Sequence, residues 1–499
     1  MPRLKPRILI SFLSPILVLF LVFNVQGHFE RERSRFPLVL LVSFDGFGHD
    51  YFEKAKTPNF DLLKKEGAFI PRLTPVFVTK TFPNHQSIVT GLFAESHGVL
   101  GSSLYDQANE SLVDLFSDGE FYATKNSKAI PVWTLNEDAD EGRKSGVVAW
   151  PGYNFHYGSN HRLPTHSMSF ASNLTYRQWV KSMDTAISWF EHHTTPANLV
   201  VFYLAEPDTT GHLYGPESEQ VKEKISQIDD LVGHMVSKLK ELELLSEVNL
   251  IILSDHGMLS VPRKNIIHLR DIADPRDYHI ANSSPSLFIY PNPGKEAKVL
   301  EAFKKASMQM NFTFYETWSA PDHWHFKENP YLPPFFIIAD KGYAFDEVPW
   351  LVNYNDGQEF HGVHGYDNLM PEMQPFFLAR GPAFKKGYVG SSLESVDIYP
   401  LLCHLLQLTP NPNNGSLIHA LPLLIQPPSH IFSLIEIIAA YMLACFAVMI
   451  AACFVLGAMW QPRTKSSVET YNLWSRNGEK ESNADESVKL LVNEDDVSP

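Results

Sequence analysis

The chain has 499 residues, 44% hydrophobic and 19% charged, ordinary globular values that exclude a disordered chain and a many-pass membrane protein. Its formal charge of -15, from 41 basic and 56 acidic residues, excludes a nucleic-acid polymer as the main partner, because phosphate backbones are bound by Lys/Arg stripes. Small anionic substrates stay compatible with it, since bound cations reverse the local sign.

At the N-terminus, Arg3, Lys5 and Arg7 precede the apolar run Ile8 to Phe23, and Val25-Gln26-Gly27 offers a cleavage point. Residues 1–27 are predicted to be a removed signal peptide; Ser11, Ser14 and Pro15 argue against the alternative of a retained anchor. Residues 37–420 then alternate apolar runs with helical patterns. Pro37 to Phe44, Asn198 to Leu204 and Val248 to Leu253 are apolar runs of strand length, which predicts a sheet covered on both faces. Asn173 to His192 and Glu217 to Leu245 carry helical spacing long enough for crossover connections. The expectation is an α/β fold with a mostly parallel central sheet covered by helices. Asp45, Asp208 and Asp255 each fall just past one of the three runs, where open α/β sheets place their ligands.

The Pro-rich stretch Thr409 to Pro428 predicts the end of this domain, with a stalk over 421–436. Ile437 to Trp460 follows without a formal charge, roughly 24 residues or about 36 Å as a helix, enough to cross a bilayer core of about 30 Å. Arg463 and Lys465 come next, so 461–499 is predicted to be a cytosolic tail and the topology single-pass type I. The N-x-S/T sequons at Asn109, Asn173, Asn282, Asn311 and Asn414 all fall between the two apolar segments and are candidate glycosylation sites. Cys445 and Cys453 lie in the expected span, which leaves Cys403 alone and no disulfide within the ectodomain. In the tail, Glu486 to Leu491 has the form of an acidic dileucine signal, adding endosomal or lysosomal residence to the plasma membrane.

The residues that carry chemistry are spread along the ectodomain. Asp45, Asp208, Asp255, His212, His256 and His364 offer carboxylate and imidazole ligands without thiolates, a set suited to catalytic zinc or a similar divalent ion. Two such ions beside Thr81 would turn its hydroxyl into a nucleophile. Taken singly, Asp255-His256-Gly257 is a polar turn and Pro207-Asp208 a loop; their joint occurrence at strand ends is what makes a site. No arginine neighbours Thr81 to grip the extra charge of a phosphate monoester, so diesters are the expected substrates.

Lys80-Thr81-Phe82-Pro83-Asn84-His85, Glu95 to Gly98, Trp150-Pro151-Gly152, Pro207 to Pro216, Ser254 to Met258 and His364 to Asn368 together resemble the ectonucleotide pyrophosphatase/phosphodiesterase family, most of all its type I members four and five. The resemblance implies an alkaline-phosphatase-like domain, two zinc ions and hydrolysis of nucleotide phosphodiester or pyrophosphate bonds at the cell surface. It implies Asp45, Thr81, Asp255 and His256 around the first zinc, and Asp208, His212 and His364 around the second. It also implies Tyr203 as a residue stacking on the nucleobase. The chain departs from the family where an asparagine binds the substrate phosphate, having Ser102 there. The expected substrates are nucleotides such as a dinucleoside polyphosphate or NAD. A lysophospholipid diester, or a catalytically weak cell-surface binding module, are the alternatives.

Overall fold

The computed structural model describes residues 33–114, 128–158, 162–169, 174–346, 359–425 and 429–459. The expected signal peptide, the sequon at Asn173 and the tail with its dileucine lie outside the described residues.

The central sheet is built from β1 (Leu38–Phe44), β2 (Ala68–Ile70), β3 (Ser145–Val148), β4 (His166–Met168), β5 (Leu199–Leu204), β6 (Val248–Leu253), β7 (Phe377–Arg380) and β8 (Tyr388–Val389). Their spatial order is β8-β2-β7-β6-β1-β5-β3-β4. Only the pairs made by β7 are antiparallel, so the sheet is the mostly parallel one expected. The helices that position the site or cover the sheet are α1 (Pro58–Glu66), α2 (Thr81–Thr90), α3 (Val132–Ala139), α4 (Tyr176–Ser188), α5 (Asp208–Tyr214), α6 (Glu219–Glu241) and α7 (Ile398–Leu406).

Because successive strand residues face opposite sides, the unbroken apolar run of β1 feeds two cores. Leu38, Leu40, Val42 and Phe44 pack with Phe60 of α1, Trp179 and Met183 of α4, and Ile225 and Val232 of α6. Val39 and Leu41 pack on the other face with Ile88 of α2, Trp133 of α3 and Leu401 of α7. Each such fully buried aliphatic side chain contributes about 1.5–3 kcal/mol, which is why a strand apolar on both faces fits only in the middle of a covered sheet. The two long helices begin later than their apolar periodicity does, because caps fix their starts: a Thr175–Gln178 capping box precedes α4 and the Ser218 hydroxyl accepts from Val221 N before α6.

A second, antiparallel sheet of Tyr278–Ala281, Ser286–Pro291, Phe335–Ala339 and Phe312–Glu316 is covered by Val299 and Phe303 of the helix Glu296–Ser307. Its first turn, at Ser283 and Ser284, reaches the site described below.

The C-terminal boundary differs from the expectation. Residues 421–425 are not a stalk: Leu421–Leu423 forms a 3-10 turn, and Leu423 and Leu424 are buried in the core beside α7. Backbone bonds from Lys385 N to Leu423 O (2.9 Å) and from Ile425 N to Ala383 O (2.8 Å) fix the segment. Prolines mark the stretch as a linker, but its leucines cap an apolar face. A separate unit begins at Pro427 and contains the helix Ser429–Met459, with apolar side chains such as Leu443, Phe446 and Val448 exposed. Among the described residues no helix is long and apolar enough to cross a membrane, so the crossing expected of 437–460 draws no support from the fold.

Candidate active site

Neighbouring strands β6, β1 and β5 end level with one another, Ser43 pairing with Leu253 on one side and with Tyr203 on the other. The chain leaving them carries Asp255-His256, Asp45 and Asp208 to one place. The Asp208 backbone N–H donates to Asp45 O (3.0 Å), and Gly46 N–H donates to Asp255 Oδ1 (3.1 Å). Gly46 has φ +68°, and a Cβ there would lie 2.8 Å from Asp208 Cβ, so a glycine is required for the close approach. His212 stands one helical turn after Asp208 on α5, its Nε2 3.4 Å from Asp208 Oδ2. His364 arrives from a separate loop, just after a short strand, Phe360–Val363, that pairs with Leu259–Pro262.

Thr81 opens α2, with Lys80 extended before it and Pro83 in the first turn, where a missing N–H costs nothing. Asn84 ties the approach down. Its Oδ1 accepts from Val76 N (2.7 Å), and its amide nitrogen lies 3.1 Å from both Val78 O and Lys80 O. The Thr81 hydroxyl is thereby held 3.3 Å from His256 Nε2. Lys80 is buried, its Nζ donating to Ser284 O (2.6 Å) and Ser283 Oγ (3.1 Å); burial pulls its ammonium down to about 7 against the pull of Asp208.

Hydrogen bonding fixes the tautomers of the three histidines. His256, His212 and His364 each place Nδ1 on a backbone carbonyl: Gly257 O (3.0 Å), Gly362 O (2.8 Å) and Thr79 O (2.9 Å). A carbonyl only accepts, so each Nδ1 bears the proton and each Nε2 presents a lone pair to the centre. Burial drives all three imidazoles toward the neutral form, His212 down to about 4. His212 Nε2 and His364 Nε2 then face each other at 3.1 Å as two unprotonated acceptors.

The carboxylates show the same need for positive charge. Asp45, Asp208 and Asp255 have their pKa values raised first by burial and then by one another's charge. The buried oxygens Asp45 Oδ1, Asp208 Oδ1 and Asp255 Oδ2 have no hydrogen-bond donor among the described residues. Ligand atoms of Asp45, Asp255 and His256 lie within 4.8 Å of one another, as do those of Asp208, His256 and His364. Opposed lone pairs, orphaned carboxylate oxygens and an all-N/O donor set fit divalent cations, with His256 at the junction of the two groups.

The structure also brings in residues that sequence reasoning left without a role. His85 puts Nδ1 2.8 Å from Thr81 O and 3.4 Å from Asp255 Oδ2, while its Nε2 lies 2.9 Å from Ser43 Oγ. It couples the helix that Thr81 opens to β1 and to the loop that carries Asp255. Trp150 of the Trp-Pro-Gly motif donates from Nε1 to His85 O (3.2 Å). Tyr203 is half-buried, and its hydroxyl donates to Asp45 Oδ2 at 2.5 Å. Ser102 lies half-buried before the strand Ser103–Asp106; the neighbouring Ser103 Oγ accepts from Asn282 N (2.9 Å).

His361 turns Nδ1 toward His212 O (3.1 Å); neither His361 nor His212 falls in the two groups, but His212 Nε2 borders the second one, 3.1 Å from His364 Nε2. Of the sequons, Asn109, Asn311 and Asn414 are exposed. Asn282 instead turns its amide nitrogen onto Ser286 O (2.9 Å) and buries its Oδ1, because the 101–103 turn packs against it. Cys403 is buried in the α7 core, where burial pushes its thiol up to about 12.

Comparison with known proteins agrees with this geometry. The family model for type I phosphodiesterase / nucleotide pyrophosphatase matches residues 39–367. Human ectonucleotide pyrophosphatase/phosphodiesterase family member 5 is 37% identical over 414 residues, covering 82% of this chain and 81% of the relative. Human bis(5'-adenosyl)-triphosphatase ENPP4 is 35% identical over 413 residues, 82% of this chain and 87% of the relative. A solved structure of murine member 5, an inactive threonine-to-alanine form in complex with AMP, superposes with TM-score 0.71 at 36% identity, covering 79% of this chain and 100% of that one. The chain is therefore a hydrolase of the ectonucleotide pyrophosphatase/phosphodiesterase family, most like its members four and five.

Proposed function

We propose that this chain is a zinc-dependent ectophosphodiesterase that cleaves nucleotide phosphodiester or pyrophosphate bonds through Thr81. One observation carries the reading: the Thr81 hydroxyl at a helix N-terminus, 3.3 Å from His256 Nε2, borders a buried set of unprotonated nitrogens and orphaned carboxylate oxygens. Asp45, Thr81, Asp255 and His256 would hold one zinc, and Asp208, His212 and His364 the other. Bound there, the ions lower the pKa of the hydroxyl and offset charge on the phosphoryl oxygens.

The chain's own residues do the rest. Thr81 Oγ forms a bond to phosphorus as the leaving oxygen departs, and water then releases the nucleoside monophosphate from Thr81. Thr81 is also the first residue of α2, and a helix N-terminus favours an anion. Ser102 takes the phosphate-binding position that asparagine holds in the family, with a shorter donor.

A dinucleoside polyphosphate or NAD is the substrate class. The relative named a bis(5'-adenosyl)-triphosphatase and the AMP complex of murine member 5 support it, and the inactive threonine-to-alanine form of that protein supports a threonine nucleophile. The topology we propose has residues 1–27 as signal peptide, 437–460 crossing the plasma membrane and 461–499 in the cytosol, with Asn109, Asn311 and Asn414 glycosylated; it rests on charge and hydropathy in the sequence. The test is a turnover panel on the zinc-loaded full chain with a nucleotide diester, NAD, a dinucleoside polyphosphate and lysophosphatidylcholine. The nucleotides should be cleaved faster; preferred cleavage of the lysophospholipid would refute the substrate class.

A further inference from the structure

We infer that Tyr203 is a positioning residue for the first metal site, its hydroxyl holding one oxygen of Asp45 so that the other is turned into the ligand cluster. This rests on the reading of Asp45 as a ligand given above. Tyr203 is the penultimate residue of β5 and pairs in register with Ser43 of β1, two residues before Asp45. Residues i and i+2 of a strand share a face, so Tyr203, Ser43 and Asp45 lie on one side of the sheet, about 6.6 Å apart along the strand direction, which a tyrosine side chain spans.

The outcome is an asymmetric carboxylate. Asp45 Oδ2 accepts from the Tyr203 hydroxyl at 2.5 Å, while Oδ1 has no hydrogen-bond donor among the described residues and stands 3.4 Å from His256 Nε2. An O–H donated to a carboxylate is among the stronger hydrogen bonds and fixes direction as well as distance. The ring itself cannot swing freely. It stands perpendicular to the imidazole of His85, ring centres 5.0 Å apart, and His85 is anchored by Thr81 O and Ser43 Oγ. Tyr203 thus links α2, through His85, to the carboxylate that follows the end of β1. A residue whose polar end is committed to Asp45 acts on the metal, whatever its ring offers to a base.

The experiment compares wild type, Tyr203→Phe and Tyr203→Leu as full chains, reading zinc affinity by chelator competition alongside kcat and KM on a nucleotide diester. Tyr203→Phe keeps the ring and removes only the hydroxyl. It should weaken one of two zinc ions by about 10–100-fold, the usual cost of losing a partner that orients a ligand, and leave the other unchanged. Its kcat should fall at limiting zinc and recover at high zinc, with KM little changed. Melting of the chelated variants checks that each is folded.

Wild-type affinity for both ions in Tyr203→Phe would overturn the inference, as would a rise in KM confined to Tyr203→Leu, the mark of a base-stacking ring. A wild type that binds zinc but cleaves no nucleotide would overturn the functional reading while the affinity comparison still decides the role of Tyr203. A wild type that binds no zinc would overturn both.

Discussion

Thr81 and the ligands around it differ in what each should cost when removed. Thr81→Ala takes away the attacking oxygen and leaves Asp45, Asp255 and His256 in place, so zinc content by elemental analysis should stay at the wild-type level while turnover falls at least about a thousandfold. Asp208→Asn should lose an ion and activity together. Protons compete for the same ligands. Asp45, Asp208 and Asp255 have raised folded pKa values, so without metal their contribution to stability is fully present below the unfolded carboxyl value of about 4 and is lost as pH rises through the folded values. The histidines carry the opposite sign: His212, held down to about 4, contributes above its unfolded value near 6.5 and loses this as pH falls. Zinc displaces the carboxyl protons, so the gap in melting temperature between zinc-loaded and chelated protein should widen from about pH 5 to about pH 8. The clustering of these carboxylates and histidines was legible because each falls beside a strand end or inside a spaced motif. The roles of His85 and the Tyr203 hydroxyl were not, since they depend on the register of β1 with β5, which no local pattern encodes.

At the scale of elements, the site depends on three strand ends and one helix start meeting without slack. Gly46→Ala tests the closest of these approaches. The left-handed φ and the 2.8 Å approach to Asp208 Cβ should cost about 1–3 kcal/mol and displace Asp208, lowering stability in urea and weakening one ion. Asn84→Ala removes the bonds that pin residues 76–80 and leaves the buried Val76 N–H unsatisfied, a loss of about 2–3 kcal/mol. It should also lower kcat, because Thr81 loses its fixed approach. The strands β1, β5 and β6 could be read from sequence because each is a mostly apolar run of six or seven residues, all buried except the half-buried Tyr203, which fits only a covered strand. The two-residue β8 and three-residue β2 carry no such signal; β2 forms on the edge that β7 offers, and β8 on the edge that β2 offers in turn. The antiparallel sheet that holds Lys80 through Ser284 was not anticipated either, since a turn, the helix Glu296–Ser307 and a long loop join its strands in succession and no repeating pattern marks them.

For the molecule as a whole, the catalytic unit extends past the point where its sequence turns Pro-rich. A chain ended after residue 425 should melt like the full ectodomain, whereas one ended after 420 exposes the sites of Leu423 and Leu424 and should lose about 3–6 kcal/mol. The prolines misled because they punctuate a segment whose leucines close the core beside α7. The same molecule carries a large negative charge and brings the neighbouring carboxylates Asp45, Asp208 and Asp255 to one site, yet nucleotides are anionic; cations bound at the proposed sites would reconcile the two. The proposed reaction also has a covalent step on Thr81, and the stereochemical course at phosphorus tests that step most directly. Hydrolysis of a nucleotide diester made chiral at phosphorus with sulfur and oxygen isotopes should proceed with retention, the sum of two in-line displacements, first by Thr81 and then by water. Inversion, the outcome of a single direct attack by water, would contradict the account.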